Sequence, residues 1–300
     1  MAIDKIYIPT VHRVDEQTTY NNLPDSLKKK VVLVVQAWER PQYKYDCEYL
    51  VLPDTEEYHY SHYFCFSKTK KLIYEVAKNT KYCIFDDDII FYRRNRKYFG
   101  LDDSMEKSKR IATTKDILQM FELYENWLDL PEVTVCGCAH SENPPAKAIF
   151  TKNSSISSVF WINGNDFADR LNDFDLDSVR VAQDVCFLLS LLTNGYGNRV
   201  GQEFVFLNMS NKKKNMKSTQ WDLQTKDLAF EDHKKISNMF PQFFNILFNP
   251  DGTRVSGGYR GVGKVKIKWS EAYKHGRSKL KGNSFDKMIF DEFKTYDNKS

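Results

Sequence analysis

The sequence predicts an α/β protein, a mixed sheet flanked by helices, and three observations lead there. Residues 31–35 and 82–85 are apolar without alternation, as strands covered on both faces are. Residues 67–79 and 113–127 carry apolar side chains at helical spacing between such runs. The order strand, helix, strand, strand, helix, strand over the first 85 residues belongs to layered α/β domains rather than to bundles or sandwiches.

Residues 5–10 read as a first strand broken by Pro9. Residues 18–30 contain a short helix ending in lysines, and 31–35 is the central strand. A third strand, 48–53, stops at Pro53. The helix 67–79, with Leu72, Ile73, Val76 and Ala77 on one face, feeds the strand 82–85. Beyond it, Thr113 or Thr114 caps a helix reaching Trp127, 133–138 is a strand, and 140–153 is a loop around Pro144-Pro145. A strand at 158–162 ends in the Asn163-Gly164-Asn165 turn. A helix at 181–194 closes at Gly195, and 204–207 is a late strand. The right-handed crossover rule brings the carboxyl ends of the parallel strands to one edge, where open α/β sheets bind ligands.

At 300 residues, 41% hydrophobic and 28% charged, the composition is that of a soluble globular protein. No apolar run approaches the roughly 18 to 20 residues that span a bilayer. The start, Met1 to Lys5, lacks the layout of a signal peptide. The six cysteines are scattered and fit free thiols in a reducing cytoplasm. The pair Cys136 and Cys138 has no partner pair at zinc-ribbon spacing. The net charge of +4 is uneven, with basic residues gathered at 212–217 and from Arg254 to Lys281. That suggests a polyanionic partner such as nucleic acid, or else only a solvated lysine-rich surface.

Asp86-Asp87-Asp88 stands between the apolar runs 82–85 and 89–92, where carboxylates are costly unless something positive meets them. Strand alternation lets Asp86 and Asp88 converge while Asp87 faces elsewhere. Two oxygen ligands on one side suit Mg²⁺ or Mn²⁺ that keeps waters and takes further ligands from phosphates. An acidic turn after a strand is the plainer reading.

These residues carry a resemblance. Pro9-Thr10 with Arg13, the Val-rich strand followed by Glu39, Thr69-Lys70 at a helix and the strand ending in Asp-x-Asp resemble the nucleotide-sugar-binding half of GT-A glycosyltransferases. Gln183-Asp184, then Phe187, Leu188 and Leu191, closing on Asn194-Gly195-Tyr196, looks like that fold's acidic helix start. The match spans residues 5–210 and, more narrowly, resembles phage-encoded DNA glycosyltransferases acting on hydroxymethylated pyrimidines, including TET-associated ones. It implies a catalytic domain over 1–210, with a donor half over 1–100 and an acceptor half over 110–210. The basic region 211–300 would complete the acceptor side.

The resemblance implies a metal-dependent transfer from a nucleoside-diphosphate sugar, a UDP-sugar foremost, to a hydroxyl of 5-hydroxymethylpyrimidine in DNA. Asp86 and Asp88 would bind Mn²⁺ or Mg²⁺, with His233 or His275 as third ligand. Pro9, Thr10, Arg13, Glu39, Lys70 and Asp87 would meet the donor, and Asp184 would be the general base. His140, Lys212, Lys213 and Arg260 would face the acceptor. Two positions depart from the family: Lys70 stands where arginine is expected, and Gln183 leaves Asp184 as the sole carboxylate of its pair. A carbohydrate acceptor and a non-catalytic nucleic-acid-binding protein on a degenerate transferase fold are the alternatives. Nucleotidyl transfer usually wants a glycine-rich phosphate loop, and residues 9–19 contain no glycine.

Overall fold

The computed structural model describes residues 3–280 except 63–64, 102–104, 106, 175, 177, 181, 210–225 and 257–262. β1 (Lys5–Pro9) leads into two short helices, α1 (Thr18–Asn22) and α2 (Asp25–Lys28). The single helix expected here breaks at Leu23-Pro24. Proline forces its predecessor into extended backbone, and Leu23 lies at φ −74°, ψ 145°. β2 (Val31–Val35) is buried throughout, whereas β3 (Glu48–Val51) is a half-exposed edge strand. α3 (Cys65–Ala77) returns the chain to β4 (Lys81–Phe85), and β5 (Ile89–Arg94) leaves directly after the acidic triplet.

β6 (Lys109–Ile111) precedes α4 (Thr114–Leu128), whose Thr113 forms a reciprocal capping box with Asp116. β7 (Val135–His140), β8 (Phe150–Lys152) and β9 (Val159–Asn163) follow, then α5 (Gln183–Thr193) and β10 (Asn198–Asn208). The described C-terminal part holds α6 (Lys226–Met239), β11 (Phe244–Ile246), β12 (Val265–Ile267) and α7 (Trp269–Leu280). β6 and β8, three residues each, carry too little pattern to be read from the sequence. β10 begins at Asn198, before its apolar run, and a register break between Gly201 and Val205 interrupts its pairing with β7.

The main sheet has ten strands in the order β3-β2-β1-β4-β9-β7-β10-β5-β6, with β8 on β10. Strands β1 to β4, β7 and β10 share one direction, and β9 and β5 run against them. Ile6, Ile8, Leu33, Phe85 and Trp161 face Leu27 of α2 and Phe121 of α4. Tyr7, Val32, Tyr82, Ile84 and Phe160 face Ile73 and Tyr74 of α3 and Leu188 of α5. The result is a sheet with helices on both faces, as its unalternating strands require.

The C-terminal elements pack on the outer side of α5, where Cys186, Leu189 and Leu192 meet Ile236, Phe244 and Ala272. Gly276 on α7 permits that approach, since a Cβ there would lie 2.3 Å from the Leu192 carbonyl oxygen. β1 connects to β2 on one side, and the chain then crosses to β4 on the other. The β1/β4 junction is therefore a topological switch point, where connections diverge and leave a crevice at the carboxyl edge.

Candidate functional site

Asp86 to Asp88 follow β4 at this switch point, and their backbone is pinned on every side. Ser158 accepts the Asp86 N–H at 2.8 Å, and the Thr19 and Met209 N–H groups donate to the Asp87 and Asp88 carbonyls at 3.0 and 2.8 Å. The Thr19 hydroxyl donates to the Asp86 carbonyl at 2.5 Å and accepts the Ile89 N–H at 2.8 Å. Ser158 itself takes φ +60°, a left-handed conformation that is costly for serine, and Ala182 and His12 share it at φ 60° and 57°. Three of the four such non-glycine residues in the described chain thus border this edge.

The strand alternation expected for the triplet does not apply, because Asp86 to Asp88 form the turn between β4 and β5, and the Asp87 carboxylate turns to the loop after β1. That carboxylate accepts the Thr10 hydroxyl at 2.7 Å and the Arg13 guanidinium at 2.5 Å. Asp88, 3% exposed, accepts the Asn208 amide at 3.0 Å and lies 4.0 Å from Arg13. Asp86 is directed toward the face that carries α3 and α5. There Lys70 of α3 is ion-paired with Asp184 in the first turn of α5, where the helix dipole favours an acid. The Lys70 ammonium also lies 5.8 Å from the Phe160 ring. Lys70, Asp88 and Asp184 all act on the charge of Asp86, and Lys70 and Asp184 come to it from distant parts of the sequence.

Burial pushes the Asp86 carboxyl up to about 6; Asp88 and Asp184 add to the rise and Lys70 opposes it. Burial likewise raises Asp87, to about 7, against the pull of Arg13 and the Thr10 hydroxyl. Four carboxylates (Asp86, Asp87, Asp88, Asp184) meet two cations (Arg13, Lys70), an excess of two negative charges when all are ionised. A divalent cation would balance that excess, so the donor set fits Mg²⁺ or Mn²⁺ bound through two carboxylates. Among the described residues no three or more His, Cys, Asp and Glu gather into a fuller metal cluster.

The neighbouring strand ends build a second wall. Pro9 closes β1 opposite Val34. Glu39, 2% exposed, is occupied by the His12 N–H at 2.7 Å and the Tyr43 hydroxyl at 3.3 Å. The Gln17 amide donates to Thr10 and to the Arg13 carbonyl, while its own oxygen is buried with no hydrogen-bond partner. His12 stacks among aromatic rings: Tyr60 at 4.4 Å edge-on and Trp38 at 5.3 Å, with Trp38 42% exposed.

The remaining expected residues are spread more widely. His140 ends β7 on the same edge, its ring edge-on to Phe206 and its Nδ1 accepting the Glu142 N–H at 3.3 Å. His233 is buried against Phe244 in the cluster outside α5, and burial lowers its pKa with Asp232 opposing. His275 lies 5.3 Å from the Phe243 ring. Neither histidine gathers with the aspartates. Lys212, Lys213 and Arg260 lie outside the described residues. All six cysteines are free, and burial raises the Cys136 and Cys138 thiols, which packs them as inert core groups.

Sequence reasoning passed over Thr19, Trp38, Tyr60, Ser158 and Asn208. Trp38 and Tyr60 carried a readable signal, aromatics just beyond strand ends on the ligand edge. Asn208 and Ser158 carried none, because only the sheet order brings β9 and β10 to the aspartates.

Fold and site together define an α/β protein with three consecutive aspartates in the turn that follows β4 at its switch point. No protein-family profile and no curated protein matches the chain. A solved structure assigned as a glucose-1-phosphate thymidylyltransferase from Bacillus anthracis, in complex with sucrose, aligns over 87% of this chain and 99% of its own. Its identity is 8% and its TM-score 0.36, and a score that low carries no argument about fold or activity. No helix among the described residues is long and apolar enough to cross a membrane.

Proposed function

We propose that this chain is a metal-dependent glycosyltransferase that moves a sugar from a nucleoside-diphosphate donor, a UDP-sugar foremost, to a hydroxyl group. One observation carries the reading: the convergence of Asp86, Asp88, Lys70 and Asp184 at the β1/β4 switch point. Asp86 and Asp88 would hold Mn²⁺ or Mg²⁺, which when bound supplies charge to the departing diphosphate. Lys70 presents a second positive charge to the same phosphates. Diphosphate binding draws that ammonium from Asp184 and frees the carboxylate to take the proton of the acceptor hydroxyl. Donor binding thereby precedes activation of the acceptor. Arg13 and Thr10 fix Asp87 and so hold the turn in register. The Trp38–Tyr60–His12 wall offers stacking surface for a nucleobase.

Sugar transfer is favoured over nucleotidyl transfer by the loop after β1. Residues 10–17 contain no glycine, so that loop lacks the phosphate cradle nucleotidyl transfer usually uses. The finer reading takes 5-hydroxymethylpyrimidine in phage DNA as acceptor. Support comes from the basic residues of the C-terminal part: Lys266 in β12 with Lys264 and Lys268 on either side of it, and Lys274, Arg277 and Lys279 on α7. Such a surface grips phosphates without reading sequence.

A thermal-shift panel of nucleoside diphosphates and nucleotide sugars, with and without Mn²⁺, tests the class. The expected result is stabilisation by one donor that depends on metal, followed by sugar incorporation into hydroxymethylated but not unmodified DNA. Incorporation should fall as salt rises. The absence of any metal-linked donor response would sink the enzyme reading. Salt-insensitive transfer, or transfer to a carbohydrate alone, would sink the DNA acceptor.

A further inference from the structure

Two neutral side chains, Asn208 and Ser158, reach the two acids read as metal ligands. Asn208 closes β10 opposite Ile89, the residue that follows the triplet, and the next N–H, that of Met209, donates to the Asp88 carbonyl at 2.8 Å. Strand register thus sets the Asn208 amide against the turn. Its Nδ2 donates to the Asp88 carboxylate at 3.0 Å and to the Ser158 hydroxyl oxygen at 3.4 Å. The Ser158 hydroxyl in turn hydrogen-bonds the Asp86 carboxylate. An ionised carboxylate only accepts, so the hydroxyl gives its proton to Asp86 and leaves its oxygen to the amide. One amide therefore orients both carboxylates, Asp88 directly and Asp86 through Ser158.

Two features set these contacts apart from ordinary packing. The first is that both donors are neutral. An arginine or lysine in their place would cancel the charge that a divalent cation needs, whereas an amide and a hydroxyl fix the rotation of a carboxylate and leave its charge. Arg13 lies 4.0 Å from Asp88 and makes its short contact with Asp87. The second feature is the backbone of Ser158, at φ +60°, a left-handed conformation costly for serine. Glycine would adopt it without strain but has no hydroxyl. The conformation aims two groups at one aspartate: the Ser158 carbonyl accepts the Asp86 N–H at 2.8 Å, and the hydroxyl meets the Asp86 carboxylate. A strained serine where glycine would suit the backbone better points to a use for its side chain.

We propose that Asn208 and Ser158 are positioning residues for the metal-binding acids, holding Asp86 and Asp88 in the arrangement that receives one divalent cation. The inference rests on the reading of those two aspartates as metal ligands and extends it to the residues that orient them. Partners that touch the ligands rather than the metal tune metal affinity about 10- to 100-fold.

The test titrates Mn²⁺, alone and with UDP present, into the full chain. Free and bound metal are read by electron paramagnetic resonance for wild type, Ser158→Gly, Asn208→Ala and Asp88→Asn, and the metal-free Tm of each is measured beside it. Ser158→Gly and Asn208→Ala should each bind Mn²⁺ about 10- to 100-fold more weakly than wild type. Ser158→Gly should keep a metal-free Tm close to that of wild type, because relief of the left-handed strain offsets the lost hydrogen bond. It therefore carries the test if Asn208→Ala fails to fold. Wild-type affinity in either folded variant, with Mn²⁺ lost in Asp88→Asn, overturns the proposal and leaves the metal site standing. Weakening that comes only with a large fall in metal-free Tm makes both residues structural ties and overturns it as well. If wild type binds no Mn²⁺ under either condition, or Asp88→Asn binds it as wild type does, the metal-site reading falls and takes the proposal with it.

Discussion

Asp88→Asn separates a metal-binding acid from a merely structural one, because the substitution changes charge while leaving shape. Asp88 accepts Asn208 at 3.0 Å, and an amide oxygen in the same place accepts that bond equally well. The 4.0 Å approach to Arg13 is lost as an attraction, but Arg13 keeps Asp87 at 2.5 Å. One of two excess negative charges is removed, which offsets that loss, so the metal-free variant should unfold within about 1 kcal/mol of wild type. The ligand-linked term behaves differently. With Mn²⁺ and a nucleoside diphosphate at 100 times the dissociation constant, wild type gains about 2.7 kcal/mol, or about 5 °C in Tm for a chain of this size. A buried charged ligand is worth about 3 kcal/mol, roughly a hundredfold in affinity. At the same concentrations the variant then gains only about 0.4 kcal/mol, about 1 °C. Differential scanning fluorimetry with and without Mn²⁺ reads both quantities. An Asp88→Asn protein that keeps the full metal-dependent shift would refute the assignment of this turn as the metal-binding edge.

Asp184→Asn should lower sugar transfer to an acceptor by about 10²- to 10⁴-fold while sparing metal-dependent donor hydrolysis, as nucleoside diphosphate release with and without acceptor would show. Equal loss of both would make Asp184 a partner of Lys70 and nothing more. Trp38→Ala, at a 42%-exposed ring, should weaken donor binding by about 1–3 kcal/mol with little change in Tm, read by fluorescence titration. Asp116 provides a pH test of the fold. Burial alone would raise its carboxyl, but hydrogen bonds from Arg110 and Thr113 override burial and hold it well below the usual range. A carboxyl depressed in the folded state stabilises above its unfolded value near 4, and that stability is lost as pH falls through the folded value. Acid unfolding of Asp116→Asn, followed by circular dichroism, should therefore show a weaker pH dependence below about pH 4 than wild type.

The acidic triplet was legible as costly charge between two apolar runs, but its geometry was not: the three residues form a turn, where strand alternation does not hold, and Arg13 approaches both Asp87 and Asp88. The helices at 65–77 and 114–128 were legible because their apolar faces repeat at helical spacing. β6, β8 and the early part of β10 were not legible, since short or polar strands are decided by the neighbours that pair with them.

What the sequence determined by itself is local: the buried strands, the helices with a repeating apolar face, and three acids at a strand end where burial makes charge expensive. Which residues meet those acids was a tertiary decision. Lys70 and Asp184 are 114 positions apart, and Asn208 is 120 from Asp88. The pairing of β10 with β5, which sets Asn208 opposite Ile89, and the placement of α3 and α5 on one face bring them together. The same holds for Arg93 and Arg110, opposed across β5 and β6, whose shared counter-charge comes from Asp116 of α4. Charge in a chain is a property of residues, but its compensation belongs to neighbours in space.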